Sequence, residues 1–170
     1  MTEFVVRDGY RRIGFSGDLL AKASSKRPGV WRWTELALYR TANGVYILQK
    51  VGASRVMHVR DCPEVVDNLP RFQAVYPGED PDDDEFLFCD CVPDIYDFPS
   101  LLVESDRHWA QINDDDPVRL IKSLMRYKVD KKTGTRTYWF PRASSKLLEQ
   151  AAELDWGIAA AYHSSITRIA

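Results

Sequence analysis

The residues of this chain best suited to bind a metal are its three cysteines and two of its three histidines. They are His58, Cys62, Cys89, Cys91 and His108. Thiolate sulfur and imidazole nitrogen are the ligand atoms that zinc prefers. The apolar run 86–92 predicts a strand, in which Cys89 and Cys91 would point to one face. Beyond this C-x-C pair, the sequence has no C-x-x-C or H-x-x-x-H pair that would complete a zinc site. We therefore expect buried, inert thiols, no metal and no cofactor.

One set of residue types would suit a metal-dependent nuclease of the PD-(D/E)xK kind. Asp94 and Asp130 would hold Mg²⁺, and Lys132 would stabilise the developing negative charge. However, Asp130 and Lys132 fall in a predicted turn, where the rigid geometry of a metal site is hard to hold. The sequence contains neither a phosphate-cradling glycine loop nor a complete nucleophile elbow. We therefore expect a non-enzymatic protein, with the nuclease as an alternative.

Residues 99–140 predict a helix, a turn, a second helix and a β-hairpin, which is the order of elements in a winged helix. The first helix is expected over 99–111. The second is expected over 117–127, with Asp116 as its N-terminal cap and Pro117 as its first residue. In a winged helix the second helix enters the major groove and the hairpin tip lies against phosphates. The cations expected to make these contacts are Arg119, Lys122, Arg126, Lys131, Lys132 and Arg136. A solvated amphipathic helix followed by an ordinary hairpin is the alternative.

A second basic region, which also contains tryptophan, lies near the N-terminus. Its candidate nucleic-acid-binding residues are Arg11, Arg12, Lys26, Arg27, Trp31 and Arg32. A positive groove with aromatic stacking platforms is what single-stranded nucleic acid requires. Alternatively, the tryptophan belongs to the core and the arginine side chains lie over the surface. A third possibility is a surface that meets an acidic partner or the acidic part of the same chain.

Charge is sorted by position along the chain. Residues 1–60 hold eleven Lys and Arg against four Asp and Glu, residues 61–116 hold two against seventeen, and residues 117–170 hold ten against four. This arrangement points to a charged partner or to surfaces that meet each other. The acidic segment 79–97 could mimic phosphates or dock on a basic protein. Its candidate partner-binding residues are Asp80, Asp82, Asp83, Asp84 and Glu85. A solvated loop is the alternative, because the spacing is not that of an EF-hand.

The first third of the chain predicts an antiparallel β-meander over 10–60. Asn43-Gly44 lies between two apolar runs and is a strong hairpin signal. A two-residue turn would pair Thr41 with Tyr46, and both faces of the hairpin would be partly apolar. We therefore expect other elements to cover each face.

The fold expected from these patterns is α+β. An N-terminal antiparallel meander packs with helices and precedes a helix–turn–helix–hairpin–helix segment. The last hairpin joins 127–129 to 135–140, and the last helix starts near Ser144 or Ser145. We expect a single domain over 1–170, with a possible sub-boundary at the acidic loop 70–86.

The function expected from the sequence is that of a non-enzymatic binding module in a larger assembly, with nucleic acid or a protein of a nucleoprotein complex as its partner. The alternative is a protein–protein adaptor or inhibitor that docks through 79–97. Split charge of this kind would fit a mobile-element or antiviral-defence protein. No apolar run approaches the ~18 residues that a membrane span needs, and the N-terminus does not resemble a signal peptide. We therefore expect a cytoplasmic protein with no membrane partner.

Overall fold

The structure is a computed structural model that describes residues 1–75, 87–93, 101–113 and 116–169. The strands in these residues are β1 (Thr2–Asp8), β2 (Arg11–Ser24), β3 (Arg32–Thr41), β4 (Tyr46–Ser54), β5 (Val56–His58), β6 (Phe72–Val75), β7 (Leu87–Phe88), β8 (Leu101–Glu104), β9 (Arg107–Asn113), β10 (Arg126–Val129) and β11 (Arg136–Trp139). The helices are α1 (Pro63–Val66), α2 (Pro117–Leu124), α3 (Arg142–Leu154) and α4 (Trp156–Ile169), and a 3-10 turn covers Leu69–Arg71. The expected α+β class, with an N-terminal antiparallel sheet and a helical C-terminal segment, is confirmed.

The chain divides into two compact units. The first comprises residues 1–25, 34–51 and 108–170, and the second comprises residues 26–33 and 52–107. The expectation of one domain over 1–170 stays a prediction.

The first unit is built on a five-stranded sheet in the order β1-β2-β3-β4-β9. β1 and β2 pair antiparallel, and so do β2 and β3, so the meander is confirmed. The sheet curls into a half-barrel, because the two edge strands meet at one end. There the Gly9 amide donates to the His108 carbonyl at 2.8 Å, and the Ala110 amide donates to the Asp8 carboxylate at 3.3 Å.

Both faces of this sheet are apolar, as the sequence predicted. One face buries Val6, Tyr39 and Ile47, and the Tyr39 ring lies 4.9 Å from Phe4 and 5.3 Å from Phe15. The opposite face packs against α2, α3 and α4. Its buried core includes Leu38, Leu48, Leu120, Ile121, Leu147, Leu148 and Ile158. The curved sheet encloses the side chains around Tyr39 on one face, and the helices cover the other face.

The β3–β4 hairpin forms, but with a different turn from the expected one. The Thr41 amide donates to the Val45 carbonyl at 2.8 Å, so Thr41 lies opposite Val45 instead of Tyr46. In this turn only Gly44 has a positive φ, of 83°. The loop therefore has three residues, a turn followed by a left-handed glycine, which is the next most common hairpin geometry after the two-residue turn. The change moves each residue of β4 by one position relative to β3.

The second unit holds a four-stranded sheet in the order β6-β8-β5-β7, with α1 and the 3-10 turn between β5 and β6. Here β5 pairs antiparallel with β8 and parallel with β7. Its sheet buries Met57, Leu101 and Val103. A separate cluster beside α1 buries Cys62, Val65 and Leu102, against which Val59, Phe72, Cys89 and Cys91 pack partly buried.

The prediction of a helix over 99–111 is wrong. The described part of this range forms β8 and β9 instead, so the winged-helix order of elements, which needed that helix, does not occur. Leu101, Leu102 and Val103 are consecutive and all buried, as in a strand with neighbours on both sides, and β8 lies inside its sheet. Three adjacent buried side chains are incompatible with the single apolar stripe of a surface helix.

The second helix of that segment matches its sequence signals. The Asp116 carboxylate accepts from the Val118 amide at 2.9 Å, and Pro117 is the first helical residue. The helix ends at Leu124, three residues before the expected end. The last helical stretch begins at Arg142, just before the expected Ser144, and divides into α3 and α4 at Asp155.

Asp155 is a buried carboxylate that joins the helices to the sheet. Its side chain is 1% exposed and accepts hydrogen bonds from Arg40 Nη1 at 3.0 Å and from the Tyr46 hydroxyl at 2.8 Å. It also accepts from the Ile158 amide at 2.9 Å, as an N-terminal cap of α4. Gly157 makes this approach possible, because a Cβ there would lie 2.8 Å from the Tyr46 hydroxyl.

Replacing Asp155 with alanine is expected to lower the free energy of unfolding by about 3 kcal/mol, from roughly 1–3 kcal/mol for an unsatisfied buried group and about 1 kcal/mol for a lost helix cap. Arg40 is half exposed, so water can solvate its charge. The loss has two causes: Tyr46 keeps a buried hydroxyl without its acceptor, and α4 loses its cap. Urea unfolding followed by tryptophan fluorescence measures the change. The matched control Glu153→Ala removes an exposed carboxylate two residues earlier and should change the free energy by less than about 0.5 kcal/mol. Equal stability of the two variants would contradict the role of Asp155.

The hydrogen bond of Tyr46 predicts a pH dependence. Burial, followed by the hydrogen bond to Asp155, raises the pKa of Tyr46 from its ordinary 10 to about 12. Because the pKa of Tyr46 is higher in the folded state than in the unfolded state, its protonated hydroxyl makes its full contribution to stability below pH 10. This contribution is lost as the pH rises towards 12. The difference in unfolding free energy between the wild type and Tyr46→Phe should therefore be constant up to about pH 10 and shrink above it. Tyr10→Phe, at a fully exposed tyrosine, is the control and should give a flat difference.

Candidate metal centre and basic hairpin

Residues that could hold a metal converge at the carboxyl ends of two neighbouring strands in the second unit's sheet. β5 and β7 run parallel, with Met57 opposite Phe88, so their carboxyl ends lie side by side. His58 is the last residue of β5, and Cys89 follows β7 directly. The Cys89 amide donates to the Met57 carbonyl at 2.9 Å, which keeps these two positions adjacent.

A tight turn after each strand brings in one more cysteine. After β5, the Cys62 amide donates to the Val59 carbonyl at 3.1 Å, and Cys62 then precedes α1. After β7, the Val92 amide donates to the Cys89 carbonyl at 2.9 Å, which turns Cys91 back towards β5. Nδ1 of His58 lies 3.5 Å from Sγ of Cys62 and 4.0 Å from Sγ of Cys91. One ligand atom from each of the four residues lies within 4.8 Å of all the others.

The cluster is largely shielded from water. His58 and Cys62 are buried, while Cys89 and Cys91 are partly buried. Burial lowers the pKa of His58, an effect that nearby Glu64 partly opposes, and burial raises the pKa of Cys91 to about 12. This setting therefore favours the neutral forms of His58 and Cys91 over their charged forms.

Sequence reasoning named these four residues, with His108, as possible zinc ligands, but it judged their spacing unsuitable and expected no metal. It expected Cys89 and Cys91 in a buried strand, whereas both lie in the turn that follows a two-residue strand. The available signal was the spacing His58-x-x-x-Cys62 together with Cys89-x-Cys91. The pairing of the two strands that carry these motifs could not be read from the sequence. His108, the fifth ligand type considered, lies in the first unit, on β9.

The second notable feature is the β10–β11 hairpin of the first unit, which forms where the sequence predicted a hairpin. All eight residues of its two strands are exposed. The register pairs Arg126 with Trp139, Tyr127 with Tyr138, Lys128 with Thr137, and Val129 with Arg136. An antiparallel ribbon that buries neither face is unusual, because a two-stranded hairpin is at best marginally stable alone.

Each face of this hairpin combines aromatic and cationic side chains. On one face the Tyr127 and Tyr138 rings lie 5.9 Å apart, and the Arg136 guanidinium lies 5.1 Å from the Tyr127 ring. On the other face Trp139 lies across from Arg126. A hydrogen bond with Tyr138 raises the pKa of Arg136 above its ordinary value.

Hydrogen bonds within the turn order the hairpin tip. The Asp130 carboxylate accepts from the Lys132 amide at 2.7 Å, and the Gly134 amide donates to the Asp130 carbonyl at 2.8 Å. Gly134 has a φ of 71°, which the turn requires. The tip therefore presents Lys131 and Lys132 from a defined turn.

The other predicted cations of this segment lie on α2. Arg119 and Lys122 are exposed, while Leu120, Ile121 and Leu124 form the buried face. Arg126, which was expected on the same helix, lies instead in the first strand of the hairpin. The predicted residues are therefore all exposed, but they divide between a helix and a hairpin.

A cavity of about 700 Å³ lies at the base of the hairpin, within the first unit. Its charged and aromatic lining comes from Asp8, Lys50, Trp109 and Arg126. Burial lowers the pKa of Lys50, and the nearby Arg126 lowers it further. Lys50 and Arg126 therefore place two cations in this cavity, together with the carboxylate of Asp8.

The six residues of the predicted N-terminal nucleic-acid-binding region divide between the two units. Arg11 and Arg12 belong to the first unit, and Arg11 is paired with Asp8 at 2.9 Å. The remaining four residues belong to the second unit, where Arg32 is paired with Glu104 at 3.0 Å. These four are Lys26, Arg27, Trp31 and Arg32.

The acidic residues predicted to bind a partner, Asp80, Asp82, Asp83, Asp84 and Glu85, lie outside the described residues. The same is true of Asp94, one of the two carboxylates of the nuclease alternative. The other, Asp130, accepts hydrogen bonds from the turn amides of Lys132 and Thr133.

Comparison with known proteins yielded no match to a family model, to a curated protein or to a solved structure. Among the described helices, none combines the length and apolar character that crossing a bilayer requires.

Proposed function

We propose that this protein is a non-enzymatic nucleic-acid-binding module whose contact surface is the β10–β11 hairpin together with the exposed face of α2. The observation that carries the proposal is the pairing of an aromatic side chain with a cation on each face of a hairpin that buries neither face. Stacking platforms beside cations are the two elements that single-stranded nucleic acid needs.

The charge of this segment supports phosphate contact. Residues 117–142 contain eight Lys and Arg and one acid, Asp130. The carboxylate of Asp130 accepts from backbone amides of the tip, which offsets part of its repulsion of a phosphate. Arg119 and Lys122 extend the positive surface along α2, and Lys131 and Lys132 extend it to the tip. Neutralising phosphates with such cations releases counterions and favours binding at low salt.

The exposed aromatic side chains favour a single strand over a duplex. Tyr127, Trp139 and Tyr138 are 56%, 45% and 37% exposed, respectively. An unpaired base can be turned out to stack on such a ring, whereas the bases inside a duplex are stacked on one another. The cavity beside the hairpin provides a second anchor for a phosphate, between Lys50 and Arg126.

The adaptor alternative predicts a different dependence on mutation. If the acidic segment docks on a basic protein, neutralising Asp82, Asp83 and Asp84 removes the interaction. Under the nucleic-acid proposal, the same substitutions leave binding intact or strengthen it, because they remove carboxylates that repel phosphates.

Reversing the two cations at the tip, with Lys131→Glu and Lys132→Glu, is expected to weaken binding to a single-stranded oligonucleotide strongly. Fluorescence anisotropy at about 50 and 200 mM salt measures it, and the slope of log K against log salt should fall by about 1.4, or 0.7 for each lost phosphate contact.

The matched control carries the same charge change elsewhere in the first unit. It combines Arg7→Glu and Lys146→Glu, two exposed positions on β1 and α3. The control should keep most of the salt dependence of the wild type. If both double variants lose affinity equally, net charge alone explains the binding. If the wild type does not bind at 50 mM salt, the proposed function is wrong.

The aromatic face gives an independent prediction. Replacing Tyr127 and Tyr138 together with leucine keeps two apolar side chains on the hairpin and leaves its charge unchanged. Each lost stacking contact is expected to weaken single-strand binding by about 1–3 kcal/mol, whereas duplex binding should change little. Competition between single-stranded and duplex oligonucleotides of equal length measures this preference. An equal loss for both would contradict stacking and indicate a purely electrostatic surface.

A further inference from the structure

We propose that His58, Cys62, Cys89 and Cys91 bind one zinc ion, which cross-links the second unit. The inference stands on the convergence of four ligand atoms from two separate turns, and it does not depend on the nucleic-acid proposal.

The spacing of the ligand atoms fits a tetrahedral ion. With bonds of about 2.3 Å to sulfur and about 2.05 Å to nitrogen, the ligand atoms of a tetrahedral zinc site lie about 3.8 Å apart for two sulfurs and about 3.6 Å apart for a nitrogen and a sulfur. The two distances from His58 Nδ1 to cysteine sulfur are 3.5 and 4.0 Å, on either side of the nitrogen–sulfur value. No pair among the four atoms exceeds 4.8 Å, so small side-chain movements would complete the site.

The chemistry of the ligands selects the class of metal. Three cysteine sulfurs and one imidazole form a soft set, and hard cations such as Mg²⁺ and Ca²⁺ prefer oxygen. Four protein ligands leave no open position, which is the pattern of a structural zinc site. The thiols release protons as the ion binds, so affinity should increase with pH.

The surroundings of the four residues also resemble those of a metal site. The Val59 amide donates to Sγ of Cys91 at 3.4 Å, a contact that would stabilise a thiolate. His58 turns Nδ1 towards the cysteines, while its Nε2 lies 3.8 Å from the Glu64 carboxylate. A carboxylate behind the second ring nitrogen is a common arrangement for zinc-binding histidine, because it holds the ring in orientation.

A bound ion would add stability where the second unit has little apolar packing. The cluster beside α1 buries Val65, Leu102 and Cys62, and two of the partly buried residues against it are also cysteines. The whole unit comprises only residues 26–33 and 52–107, and units below about 70–80 residues often rely on a metal or a disulfide besides their apolar core. A zinc ion would join the two turns that carry the cysteines and would fix β5 next to β7.

The test uses the full chain, expressed with zinc in the medium and purified without chelator. Elemental analysis should find one zinc per chain, falling to none in the variant with Cys89→Ser and Cys91→Ser. His163→Gln replaces an exposed histidine on α4 and is the control that should keep full zinc content. Zinc content in the wild type no higher than in the serine variant overturns the proposal, and so does iron in place of zinc or a disulfide between these cysteines.

The serine variant can lose zinc because it fails to fold, so a second variant keeps the proposal falsifiable. His58→Cys offers a fourth thiolate and should still bind one ion. With Co²⁺ as the probe, the wild type should show the strong visible absorption of tetrahedral cobalt and a thiolate-to-cobalt band. His58→Cys should intensify that thiolate band. Weak absorption of the octahedral kind, or identical spectra for the two proteins, overturns the assignment of His58 as a ligand.

Discussion

The buried carboxylate of Asp155 is the interaction on which the first unit depends most. It ends α3, caps α4 and accepts from Arg40 on β3 and Tyr46 on β4, so that one side chain ties two helices to two strands. A buried charge is tolerated only when it is paired and hydrogen-bonded. These partners hold the helices against the face of the sheet that contains Leu38 and Leu48. The same helical and sheet core leaves the β10–β11 hairpin free to face solvent.

The two units obtain their order in different ways. The first has apolar clusters on both faces of its sheet, whereas one cluster of the second contains Cys62, with Cys89 and Cys91 partly buried against it. In the second unit the proposed zinc ion would add to the apolar burial of Met57, Val65 and Leu101. The two strands of the hairpin are exposed along their length, although β11 contacts α4. Cross-strand contacts and the turn formed by Asp130 and Gly134 also order the hairpin.

Features governed by neighbouring residues could be predicted from the sequence. Asp116 and Pro117 start α2 because a carboxylate cap and a proline suit the first turn of any helix. The position of the last hairpin and the two-sided apolar character of the first sheet also followed from local patterns. The exposed positions of Lys131 and Lys132 follow equally from the turn that contains them.

Features governed by distant partners could not be predicted. The run that begins at Leu101 was expected to be helical, yet it forms an inner strand because other strands flank it on both sides. The turn at Gly44 moved the β4 register by one residue, since several hairpin geometries accept the same pair of turn residues. The approach of His58 and Cys62 to Cys89 and Cys91 needs the parallel pairing of β5 with β7. The sequence by itself therefore determined the caps, the turns, the charge segments and the α+β class, because these depend on contacts within a few residues. Only the tertiary structure decided which strands pair, and so which thiols meet, because pairing depends on burial shared between segments far apart in the chain.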